Sequence, residues 1–131
     1  MGNGRTVKTG QSFPLLYGSL RPLLSALGMG PRFSGVVLDD TEMHIAMGWA
    51  FRATVARSEI TGARAVAGMV GGIGVHGWRG RWLVNGSMNN IVGIDIEPAA
   101  RAVAVGIPVS LTYLALSLED PAGVLGALGV T

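Results

Sequence analysis

The chain has 131 residues, the length of one domain, and a chain this long can bury about two thirds of its unfolded surface without a covalent staple. It contains no cysteine, which excludes disulfides, thiol nucleophiles, iron–sulfur clusters and thiolate zinc sites. Ten basic residues against eight acidic ones give a formal charge of +2, and nine of the ten are arginines spread from Arg5 to Arg101, without the clustering of a dedicated nucleic-acid binder.

Residues 1–10 are polar and glycine-rich. Leu16, Leu20, Leu23, Leu24 and Leu27 then recur at helical spacing, with Ser19 as cap, Pro22 in the first turn and Gly28 as the stop. Such a helix packs against the domain body or docks a partner; its polar face is too poor in Lys and Arg for a membrane-surface helix. Pro14, Arg21 and Pro22 interrupt the apolar stretch from Phe13 to Gly30, so neither a transmembrane span nor a signal peptide is expected, and the expected compartment is the cytoplasm.

From Ser34 onward the period changes to two. Met43, Ile45, Met47 and Trp49 alternate with polar or small residues after the turn Asp39-Asp40-Thr41, and Phe51, Ala53 and Val55 alternate with Arg52, Thr54 and Ala56. A weaker strand is expected around Ala63–Ala67, followed by a glycine-rich loop over Gly68–Gly77. Trp78 to Val84 reads as one strand, ended by Asn85-Gly86-Ser87. Val92, Ile94 and Ile96 form another, which Pro98 stops. Leu114, Leu116 and Leu118 precede Asp120-Pro121, the cap and first residue of a terminal helix that Gly129 ends. The expected organisation is an N-terminal tail and short Leu-rich helix over 1–33, then a mainly β domain over 34–131. That domain is a partly open barrel or sandwich of about seven antiparallel strands capped by the C-terminal helix.

The stretch TEMHIAMGWAFRATVARSEI, the block GIGVHGWRGRWLVNGS and the ending LALSLEDPAGVLGAL together resemble bacterial pleckstrin-homology-like domains of an actinobacterial type, over about Ser34–Leu128. The resemblance implies two nearly orthogonal sheets closed by the helix. Eukaryotic members often bind phosphoinositides through a basic first hairpin loop; here that loop, Asp39-Asp40-Thr41, is acidic and repels phosphate, so the function does not carry over.

The candidate chemistry is sparse. Gly72-Ile-Gly74-Val-His-Gly77 matches a dinucleotide fingerprint by letter, but a strand rather than a helix follows it. Trp78 and Trp82 fall on the core face, which leaves no platform for stacking bases beside Arg79 and Arg81. Met43 and Met47 also fit the core side, and the methionines form no stripe. His44 and His76 lie too far apart for a metal motif, Asp39-Asp40 reads as a turn, and Asp95 and Glu97 share one strand face without an evident positive neighbour. With no catalytic set, no cofactor and no metal indicated, the expectation is a non-catalytic binding or scaffolding module that takes a protein partner or self-associates. The alternatives are a carrier of a lipid-like ligand or a barrel-cavity enzyme, and an anion or nucleic-acid binder working through surface arginines, nucleic acid being the weaker of those two. The candidate interaction surface is His76, Arg79, Arg81 and Arg52.

Overall fold

The computed structural model describes residues 10–66, 74–87 and 89–129. Period-two alternation does set a mainly β chain closed by a C-terminal helix. The strands are β1 (Gln11–Phe13), β2 (Ser34–Leu38), β3 (Glu42–Met47), β4 (Phe51–Ala56), β5 (Ile60–Val66), β6 (Gly74–Trp78), β7 (Arg81–Asn85), β8 (Ile91–Ala104) and β9 (Ile107–Ser117). The helices are α1 (Arg21–Ala26) and α2 (Pro121–Leu128). All nine of these strands belong to one curled, open sheet in the order β1-β2-β3-β4-β8-β9-β7-β6, with β5 alongside the first half of β8. One pair departs from the antiparallel expectation: β9 runs parallel to β7, Tyr113 opposite Arg81 through Leu116 opposite Val84.

The inward positions are the apolar ones of the alternation. Met43, Met47, Phe51, Ile94, Leu114 and Leu116 are fully buried on the concave face, and Val124 and Leu128 of α2 close over it. Trp82 packs its ring 6.3 Å from that of Phe51, in keeping with a core-facing position. Asp120 caps α2 by accepting a hydrogen bond from the Gly123 backbone at 3.0 Å, and Gly129 ends the helix in the left-handed conformation (φ 65°).

Four local expectations are corrected. Pro98 does not stop its strand, because β8 runs through it. β5 pairs only as far as Ile96, β4 begins only at Ala102, and β9 skips a residue between Leu111 and Tyr113, so no ladder needs the N–H that proline lacks. Trp78 to Val84 is not one strand: Arg79 (φ 54°) and Gly80 (φ 85°) form a tight turn between β6 and β7. The glycine loop shrinks from its far side, since Gly74–Gly77 belongs to β6; the rest of it, residues 68–73 with Met69, lies outside the described residues. Trp49 is not a core residue. β3 ends at Met47, Gly48 (φ 56°) reverses the chain, and Trp49 is left 54% exposed, its indole N–H donating to the Leu27 carbonyl at 2.6 Å.

Residues 14–18 continue from β1 as a strap across the opening of the sheet. The Leu16 N–H donates to the Ser117 carbonyl at 2.8 Å, the Gly18 N–H to Gly86 at 2.9 Å, and the Glu119 N–H back to Pro14 at 3.1 Å. The buried Ser117 hydroxyl ties the knot, donating to the Leu16 carbonyl and accepting from the Gly86 N–H. The chain before Ser34 thus supplies part of the sheet as well as α1.

Candidate functional site

The convex face of β2, β3, β4, β8 and β9 carries the polar half of the alternation, and cross-strand register decides which side chains meet there. One row runs Gly35, Ala46, Arg52, Val103, Pro108, each opposite the next on the adjoining strand. A second row runs Val37, His44, Thr54. Arg101, two residues from Val103 on β8, points to the same side. Gly35 and Ala46 offer no side chain longer than a methyl, so the rows sink into an open groove of about 740 Å³ that Arg32, Arg52 and Arg101 also line.

The lining has one sign of charge. Three guanidinium groups and the His44 imidazole line the groove, and among the described residues no carboxylate does. Arg52 and Arg101 are both exposed and make no ion pair among the described residues. His44 stands at one side, its ring nitrogens 3.2 Å from Thr54 Oγ1 and 3.2 Å from Asp39 Oδ2. Among the described residues, His44 is the one aromatic ring in the lining. Such a groove can hold phosphate, sulfate or carboxylate oxygens through planar, permanently charged donors.

The residues singled out in the sequence do not form one site. Arg52 belongs to the groove. Arg81 lies on the other half of the sheet with its guanidinium 4.2 Å from the centre of the Tyr113 ring; Arg64 reaches the same ring at 5.6 Å and pairs with Asp95 at 2.6 Å. Asp95 therefore does have a positive neighbour, supplied by β5, which alternation along β8 alone cannot reveal. Arg79 sits in the β6–β7 turn, so Arg79 and Arg81 do not share a strand face. His76 takes its place in β6 opposite Leu83, and its side chain, like that of Trp78, lies outside the described residues. Arg32 and Arg101, which the sequence reading omits, come to the groove through the turn before β2 and through the second half of β8.

Asp39, Glu42 and His44 bring one ligand atom each within 4.8 Å of one another. Asp39 Oδ1 is already held by the backbone N–H groups of Thr41 and Glu42, at 2.9 and 2.7 Å, which makes this a turn with a histidine leaning on it. No helix among the described residues is long and apolar enough to cross a membrane. Comparison with known proteins finds no family model, no curated protein and no solved structure that matches the chain.

Proposed function

We propose that the protein is a non-catalytic module of the cytoplasm that binds an anionic ligand in the groove across β2, β3, β4, β8 and β9. The observation that carries this reading is the convergence of Arg32, Arg52 and Arg101 from three separate segments beside Gly35 and Ala46, without a carboxylate among the described lining residues. Scattered surface arginines of a basic chain have no reason to share a depression or to exclude every acid from it. The wide, shallow shape suits oxygens displayed along a chain or a surface. Kinship with pleckstrin-homology-like domains is part of the proposal. The antiparallel β2–β3–β4 run and the terminal helix support it, and the parallel β7–β9 pair weighs against it.

Retention on heparin at low salt tests the reading. Arg52→Ala/Arg101→Ala is expected to weaken binding about tenfold for each arginine, on the scale of a hydrogen bond to a charged group, while Arg81→Ala leaves it unchanged. Equal elution of the double variant and the parent would sink the proposal.

A further inference from the structure

Large apolar side chains are exposed mostly in one neighbourhood. Leu20, Leu23 and Leu27 of α1 and its flanks, Trp49 of the β3–β4 turn, and Val103, Val105 and Ile107 around the β8–β9 turn make up seven of the eight exposed among the described residues; the eighth, Val37, lines the groove, as Val103 also does. The three segments are joined: Trp49 holds the Leu27 carbonyl, and the Val105 N–H donates to the Ala50 carbonyl at 2.8 Å. The β8–β9 turn is built at a cost. Val105 adopts φ 50°, a conformation that β-branched residues avoid and that Asn takes readily, yet the position keeps an exposed aliphatic side chain. Isolated surface hydrophobics are ordinary; seven gathered on three touching segments point to an interface.

Charge gathers in the same place. The chain contains eight acidic residues, and none falls within 10–38, 43–58 or 98–118, the stretches that build α1, both turns and the groove. The same stretches hold the exposed Arg21, Arg32, Arg52 and Arg101.

We propose that this end of the molecule seats on an anionic lipid surface. Trp49, Leu23, Leu27, Val105 and Ile107 enter the headgroup boundary, and the arginines engage lipid phosphates and carboxylates. The inference rests on the groove being an anion site and names the source of the anion. The six-residue helix alone is too poor in cations for a membrane-surface helix, but here it adds apolar side chains to those of the two turns. Arg32, Arg52 and Arg101 of the groove supply the charge, a combination that matches what the interfacial layer of a bilayer holds. A second copy fits less well, because a two-fold contact would set these arginines against their own counterparts. An acidic protein would satisfy the charge, but it gives no reason for 63% exposure of Ile107 and 54% of Trp49 on projecting turns.

Co-sedimentation of the full chain with phosphatidylcholine vesicles, with and without phosphatidylserine, decides the matter, with tryptophan emission read in parallel. The expected result is binding only to the serine-containing vesicles. Leu27→Ser/Ile107→Ser and Arg52→Ala/Arg101→Ala should each weaken it about tenfold or more. A blue shift of emission should disappear in Trp49→Phe, and the thermal midpoints should stay close to that of the parent. Heparin retention without vesicle binding overturns the inference and leaves the groove standing; loss of both removes the groove reading as well. Equal binding to neutral vesicles, or binding untouched by Leu27→Ser/Ile107→Ser, overturns it too. So does a dimer in light scattering, without vesicles, that those two serines abolish, or retention on immobilised polyglutamate with no vesicle binding.

Discussion

Tyr17 lies half-buried at the end of the strap, its hydroxyl donating to the Met29 carbonyl at 2.6 Å. Burial raises its phenol above the ordinary value of 10.0, against smaller lowering effects from Ser34 and Arg21. A raised folded-state value means that the stability it contributes is complete below the ordinary value and is lost as pH climbs through the folded one. The unfolding midpoint is therefore expected to fall above pH 10.0, with tyrosinate absorbance rising in step. Tyr17→Phe should flatten that decline at a cost of about 1 kcal/mol at neutral pH. Single residues also show where sequence reading stops. Alternation places Arg52 correctly on the outer face, yet it carries Trp49 into the core, because one glycine at φ 56° ends the strand two residues early without disturbing the period. Arg32 and Arg101 escape notice because alternation gives a side chain's face but not its neighbour on the next strand.

Among the elements, α2 is the most legible, since Asp120, Pro121 and Gly129 mark both ends by local chemistry alone. Its docking is not local. Arg57, in the short turn Arg57–Glu59 after β4, donates to the Ala127 carbonyl at 2.6 Å and to the Asp39 carbonyl at 3.0 Å, which pins the last turn of the helix to the β2–β3 turn. A cationic donor on orphan carbonyls at a helix end is favourable in both geometry and charge. Arg57→Ala is expected to lower stability by about 2 kcal/mol in urea unfolding, with Arg57→Lys recovering only part, because one ammonium cannot reproduce two diverging planar donors. β8 is the least legible element. Pro98 reads as a terminator until both neighbouring ladders prove to be interrupted beside it. Likewise Arg79-Gly80 carries less turn signal than Asn-Gly, so two strands read as one.

At the scale of the molecule, a mainly β body with a terminal helix follows from the period of two after Ser34, whereas the closure of the sheet does not. The strap and the parallel β7–β9 pair join segments far apart in the chain, and no local pattern announces them. Ser117 holds that closure, its hydroxyl serving the Leu16 carbonyl and the Gly86 N–H at once. Ser117→Ala leaves both backbone groups without that partner. It is expected to cost about 1–3 kcal/mol, measured as a lower thermal midpoint, with faster amide exchange at Gly86.

The knot at Ser117 also bears on how the molecule is made. Leu16 and Ser117 stand 101 positions apart, so during synthesis the strap waits for about a hundred further residues before its partner exists. Until then β1 can pair with β2, but the hem of the half-barrel stays unsewn. Contacts of such long separation make for slow assembly and leave strand edges open to other nascent chains.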